Sequence, residues 1–166
     1  YHQSLARNKS ALEYVLKKRG FTPEIASTFK IGYAPTTGSA LKDFMIKKGY
    51  KLDELKKAGL VSQRGGDMFR GRIVLPLSDG QGRVVGFTGR IMTEDKNAPK
   101  YLNTPQTLIY DKGRQAYGLH LAKEAIRKKD YAIIVEGNTD VISSHQAGVE
   151  NIVAAAGTAL TTDHLK

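Results

Sequence analysis

Two carboxylates and a glycine form the sharpest chemical pattern in the chain: Glu136, Gly137 and Asp140, directly behind the apolar run Ala132 to Val135. A short buried strand that ends here delivers both acids at its carboxyl end, where open α/β sheets place ligands. Gly137 has no Cβ, so another group can approach the backbone closely. Two like charges aimed at one spot repel unless a divalent cation or a proton comes between them. Such hard oxygen ligands favour Mg²⁺ or Mn²⁺, and the chain has no cysteine to suggest zinc. The spacing leaves a second reading open, in which Glu136 is an exposed strand-end residue and Asp140 a charge facing the helix dipole.

The flanking sequence predicts the elements that would hold these acids. Val141, Ile142, His145 and Ala147 have helical spacing, Gly148 stops the helix, and Asn151 to Ala156 reads as a second strand ending at Gly157-Thr158. The result is a βαβ unit, whose parallel strands must belong to a larger sheet covered on both faces. Upstream, Tyr1 to Gly20 reads as one amphipathic helix, with Leu5, Leu12, Val15 and Leu16 as its apolar stripe and Lys17-Lys18-Arg19 favouring the dipole at its end. Thr22-Pro23-Glu24 is an N-cap, a first-turn proline and an early acid. A strand over Ile31 to Ala34 follows, then helices over Ser39 to Lys48 and Leu52 to Ala58, each expected to dock on a shared core. A further helix from Gln115 leads into the acid-bearing strand.

Between these helices lies the strongest hairpin signal: Met68 to Leu77, the loop Asp79-Gly80-Gln81-Gly82, and Arg83 to Thr88. Period-two alternation puts Arg70 and Arg72 on one face, and Arg90 follows the partner strand. Three guanidiniums near one end of a hairpin could clamp phosphates bidentately; equally, each could pair with Asp67 or Glu94 at the surface. Two prolines then fix an extended loop from Pro99 to Pro105 that presents Lys100, Tyr101 and Asn103, and Lys112 and Arg114 repeat the theme. Cations interleaved with aromatics suit single-stranded nucleic acid, although Tyr101 and Tyr110 also fit a half-buried packing role.

Charge is divided unevenly. The chain carries +10 overall, as +13 over residues 1–130 and −3 over 131–166. A basic part therefore precedes an acidic one, which points to a polyanionic partner such as nucleic acid or nucleoside triphosphates, or to a membrane surface, or to solubility alone. No apolar run reaches the ~20 residues that span a bilayer. Absence of cysteine is compatible with a reducing cytoplasm. Both ends fall mid-pattern, so the chain reads as an excised piece of a longer one.

The string IIVEGNTDVISSHQAGVENIVAAAGTALT resembles the opening of a Toprim domain, with Glu136, Gly137 and Asp140 on its Glu-Gly-x-x-Asp motif. The later Asp-x-Asp strand of that domain has no match before Lys166. The ordered strings FRGRIVLPLSDGQGRVVGFTGR, APKYLNTPQT, YDKGRQAYGL and IIVEGNTD, with IGYAP upstream, are similar to the RNA-polymerase domain of bacterial DnaG-type DNA primases. One departure is Asn138-Thr139, in place of the aromatic-containing pair often seen there, and altered local packing is expected from it.

That resemblance implies an α/β protein: an α+β basic N-terminal subdomain with a small mixed or antiparallel sheet over residues 1–128, then the first βαβ unit of a truncated Toprim domain over 129–166. It implies catalytic and metal-associated roles for Glu136 and Asp140, with Mg²⁺ or Mn²⁺. It places Arg70, Arg72, Arg90, Lys100, Tyr101, Asn103, Lys112 and Arg114 on residues that face nucleic acid or nucleotide. The implied partners are a single-stranded DNA template, an RNA primer and ribonucleoside triphosphates, with no membrane. Zinc is expected only in an upstream domain, and helicase binding only in a downstream one. The implied activity is primer synthesis in a bacterial cytoplasm, with this piece inactive alone. Two alternatives remain: a non-catalytic single-stranded nucleic-acid-binding module, and the Toprim region of a topoisomerase or nuclease.

Overall fold

In a computed structural model, residues 1–93 and 95–155 are described. Four antiparallel strands form the main sheet, in the order β1 (Gly32–Ala34), β2 (Arg72–Ser78), β3 (Val84–Ile91), β4 (Tyr101–Asn103). The β2–β3 hairpin is its spine, with Arg72 opposite Ile91 at the open end and Ser78 opposite Val84 at the turn, after a bulge at Leu77 and Ser78. Asp79 closes that turn by accepting from the backbone amides of Gln81 and Arg83. The partner strand runs beyond its expected end, so Arg90 lies within β3, opposite Ile73 on one side and Tyr101 on the other. The proline-flanked stretch from Pro99 is likewise a short edge strand and not a loop, because β3 continues far enough to pair with it.

The N-terminal segment departs from a single helix. α1 (His2–Ala6) stops at Arg7, and the Asn8 side chain accepts from the Ala11 amide to cap α2 (Lys9–Glu13), which widens into a π turn over Tyr14–Lys18. An asparagine side chain that competes for backbone donors favours a new cap over a continuous helix. Thr22 does cap α3 (Pro23–Thr28), accepting from the Ile25 amide at 3.2 Å. α4 (Ala40–Lys47) and α5 (Leu52–Lys57) form where expected, but α4 buries none of its residues, so it does not dock on the core. α6 (Leu119–Lys129) begins four residues after Gln115, because Gly118 precedes it at φ 82° in the left-handed region.

After α6 come β5 (Ile133–Val135), α7 (Asn138–Gln146) and β6 (Ile152–Ala154), with β5 and β6 parallel. The βαβ expectation therefore holds over the described residues, whereas Gly157-Thr158 lies outside them. Ile134 and Tyr131 on or beside β5 are exposed, so nothing among the described residues covers that face. One core serves both halves of the chain. Val15, Phe21, Phe29, Ile31, Leu75 and Leu77 pack in the same cluster as Tyr117, Val141, Ile142 and Ile152. Tyr117 bridges to Ala154 by two backbone hydrogen bonds of 2.8 and 3.1 Å. Gln146 at the end of α7 donates to the Gly20 carbonyl and accepts from the Thr22 amide, both at 2.9 Å. No helix is long and apolar enough to cross a membrane among the described residues.

Because the core is shared, truncating fully buried Ile142 to Ala should destabilise the whole chain by about 2–5 kcal/mol. Urea unfolding should remain one transition, and separate transitions for the two halves would contradict this packing. Burial holds His120 and His145 below the ordinary histidine value of 6.5, with the Lys30 charge adding to the effect at His120. The unfolded chain therefore takes up protons first, and this stability should be complete above about pH 7 and fall as the pH drops below about 6.

Candidate nucleic-acid interface and acid pair

Glu136 leaves the end of β5, and Asp140 sits in the first turn of α7 behind Gly137. A Cβ built on Gly137 would come within 2.6 Å of the Asp140 Oδ2 and 3.2 Å of its Cγ, so the absent side chain is the space the carboxylate occupies. Both carboxylates are exposed. Val141 and Ile142, the next residues of α7, are fully buried and fix the helix that carries Asp140. Among the described residues, no group of three His, Cys, Asp or Glu is placed to hold a metal ion.

Arg90 is the best-defined cation. Its Nε donates to the Tyr14 hydroxyl at 2.9 Å, its Nη1 donates to the Tyr101 hydroxyl, and its guanidinium carbon lies 5.2 Å from the Tyr101 ring centroid. Partial burial works against its charge, but the two phenol contacts outweigh that and raise its pKa above the ordinary arginine value. Arg90, Tyr101, Tyr14, Arg19 and Thr139 line one cavity of about 20 Å³, enough for roughly one water. Thr139 belongs to the turn between Gly137 and Asp140, so the acid-bearing turn and the arginine cluster meet at this hollow. At the Asn138-Thr139 departure, Thr139 lines the hollow, and the Asn138 Oδ1 is buried with no hydrogen-bond partner among the described residues. Beside the hollow a cleft of about 280 Å³ is lined by Tyr14, Lys18, Arg90, Asp95, Lys96 and Lys100.

The other expected cations separate from this cluster. Arg72 is 5% exposed and donates through Nη1 to the carbonyls of Gly89 at 3.1 Å and Lys100 at 3.4 Å. Burial lowers its pKa. It ties β2 to β3 and the approach to β4, and does not present itself to a ligand. Arg70 is exposed but lies outside the strand, because Gly71 turns the chain at φ 58° before β2 begins. The two arginines therefore do not share a strand face. Lys112 and Arg114 fall in a 3₁₀ turn capped by Asp111, and Arg114 lines a hollow of about 190 Å³ with Asp79 and Gln115 at the hairpin turn. Six residues of strand separate that end from the Arg90 end, a rise of about 20 Å. Asn103 is half-buried in β4 opposite Thr88.

Tyr14, Lys18, Arg19 and Lys96 had no sequence signal as site residues. Lys18 and Arg19 read as helix-end charges, and only the tertiary contact with β3 and β4 brings Lys18 to the cleft and Arg19 to the hollow.

Residues 1–123 match the family model described as DNA primase catalytic core, N-terminal domain. The chain belongs to the DNA primase family. Residues 130–166 match the Toprim domain, and the primase match upstream sets aside a topoisomerase or nuclease parent. The chain is 43% identical to the DNA primase of Staphylococcus epidermidis, covering 99% of this chain and 28% of that protein. It is 42% identical to the DNA primase of Aquifex aeolicus, covering 97% of this chain and 32% of that one. The chain thus spans about a third or less of these primases. The RNA polymerase domain of Mycobacterium tuberculosis primase DnaG superposes with a TM-score of 0.91 at 38% identity, over 99% of this chain and 55% of that one. A DnaG primase catalytic domain solved bound to ssDNA superposes at 0.87 and 38%, over 99% of this chain and 54% of that one. The chain shares their fold: helices on an antiparallel sheet, followed by a parallel pair of strands.

Arg70 and Arg72, on either side of Gly71, should separate in a stability measurement. Arg72→Met should cost about 1–3 kcal/mol in chemical denaturation by removing the guanidinium's hydrogen bonds to the Gly89 and Lys100 carbonyls, whereas exposed Arg70→Ala should stay within about 0.5 kcal/mol. Equal effects would contradict the buried role of Arg72.

Proposed function

We propose that this chain is part of the catalytic core of a bacterial DNA primase, which synthesises short RNA primers on a single-stranded DNA template by nucleotidyl transfer. The observation that carries the reading is the hollow shared by Thr139, Arg90 and Tyr101, which sets the acid-bearing turn against the cationic cleft. A polymerase needs that adjacency, because the strand held by cations must end where the acids work. Support for a DNA partner comes from the DnaG catalytic domain bound to ssDNA and its 38% identity to this chain.

The roles proposed follow from placement. Arg90, Lys100 and Tyr101 hold template or primer backbone and stack a base, with Lys18 and Lys96 lining the same cleft and Arg19 the adjoining hollow. Glu136 and Asp140 fit a divalent cation: both are exposed oxygen donors, and Asp140 folds over a glycine that leaves it room. A magnesium-type ion characteristically takes one or two carboxylates and fills its remaining positions with water and substrate phosphate. When bound, it would neutralise charge gathering on the transferred phosphate. In this proposal Glu136 accepts the proton of the attacking 3′-hydroxyl, which bonds to the α-phosphorus of the incoming ribonucleoside triphosphate as pyrophosphate leaves. Lys112, Arg114, Arg70 and Asn103 belong in this scheme at the margins of the bound strand. The division proposed is a basic unit over 1–128 and the opening of a Toprim unit over 129–166. A zinc-binding domain, a helicase-binding domain and a cytoplasmic location are proposed for the whole protein on family resemblance.

A second reading rests on the count of ligands. With two acids and no third candidate among the described residues, the stretch by itself binds nucleic acid and needs the rest of the enzyme for catalysis. Primer synthesis by this chain alone would contradict that reading.

In the full-length enzyme, Glu136→Gln should lower primer synthesis by roughly 100-fold or more with the circular dichroism spectrum and melting unchanged; near-normal synthesis would overturn the catalytic role. Arg90→Ala should weaken ssDNA affinity roughly ten-fold and flatten its salt dependence by about one unit of slope. Affinity indifferent to that change and to salt would place the DNA elsewhere.

A further inference from the structure

We propose that Tyr14 is a positioning residue that orients Arg90 for end-on, two-point capture of a nucleic-acid phosphate; this rests on the cleft being the DNA-binding surface. An arginine side chain offers five N–H groups in a rigid fork, and a phosphate can be taken on the side edge, Nε with Nη2, or on the end, Nη1 with Nη2. Here the Nε–H is given to the Tyr14 hydroxyl at 2.9 Å, so the side edge is closed. One N–H of Nη1 goes to the Tyr101 hydroxyl. Among the described residues the remaining Nη1 hydrogen and both Nη2 hydrogens have no partner, and Arg90 lines the cleft together with Lys18, Lys96, Lys100 and a single acid, Asp95.

The backbone supports this assignment. Tyr14 opens the π turn over Tyr14–Lys18, in which the Arg19 amide donates to the Tyr14 carbonyl at 2.9 Å, five residues back. Wide turns of this kind are uncommon and gather at functional sites. This one carries a buried tyrosine whose ring sits in the core while its hydroxyl reaches β3. The Lys18 Nζ lies 5.4 Å from the same ring centroid, so one side chain organises two cations at the mouth of the cleft. Fixing the guanidinium in advance removes rotamer entropy that binding would otherwise have to overcome.

The test is a double-mutant cycle on ssDNA binding by the full-length primase, using a fluorescent oligodeoxynucleotide at fixed salt. Tyr14→Phe keeps the ring and removes only the hydroxyl, so melting should be unchanged. It should lower affinity several-fold in the wild-type background and have no further effect in Arg90→Ala. A parallel NMR measurement reads the Arg90 Nε–H directly: its exchange with water should be slow in the wild type and fast in Tyr14→Phe. Equal losses in both backgrounds, or no loss in either with Arg90→Ala still weakened, would overturn the positioning role alone. Unchanged affinity in Arg90→Ala would overturn it together with the binding reading of the cleft.

Discussion

Everything proposed for this chain depends on where α7 is seated. Val141 and Ile142 are fully buried in a core they share with Phe21, Phe29 and Ile31 of the N-terminal helices and β1 approach, and His145 meets the Phe29 ring edge-on at 5.2 Å. At the far end of α7 the Gln146 amide uses both its donor and its acceptor on the chain that links the π turn to α3. Apolar burial supplies the energy and the amide supplies the register, since hydrophobic contact is non-directional. With both fixed, the N-terminal turn of α7 has one place to go, against Arg90 and Tyr101. The approach of the acid-bearing turn to the Arg90 cluster thus arises from one helix packed across two sequence segments.

Arginine does two different jobs within a single sheet, and environment decides which. Arg72 and Arg90 lie on neighbouring strands, one register step apart in the β2–β3 ladder. Arg72 spends its fork on backbone carbonyls and is lost to ligand binding. Arg90 meets phenol oxygens, which hold its geometry without neutralising its charge. Pairing with a carboxylate would have cancelled the field a phosphate needs; a hydroxyl does not.

Much of this was legible in the sequence. The apolar run into Glu-Gly-x-x-Asp fixed a strand, a turn and a helix, and Asp79-Gly80-Gln81-Gly82 fixed the hairpin, because strand periodicity and turn chemistry are local. The misreadings have local causes too. Asn8 sits inside an apolar stripe that reads as continuous helix, yet its side chain caps a new start. Gly71 looks like one position of an alternating strand, yet its positive φ starts the strand only at Arg72 and moves Arg70 off it. Arg19, Lys18 and Tyr14 were illegible for another reason: they line the hollow and the cleft only once β3 and β4 arrive beside the π turn. Amphipathic spacing in α4 predicts docking on the core, but none of its residues is buried, and the helix is instead tied at its first turn, where the Asp67 carboxylate accepts from the Leu41 and Lys42 amides.

The central claim is that the acid pair and the Arg90–Tyr101 cluster share one site, and Mn²⁺ titration followed by paramagnetic NMR broadening measures it most directly. Signals of Glu136 to Asp140 should broaden first, with those of Arg90, Tyr101 and Thr88 next and those around Asp79 and Asp111 last. Broadening that begins at the hairpin turn, or that spares Arg90 and Tyr101 while the acids respond, would contradict it.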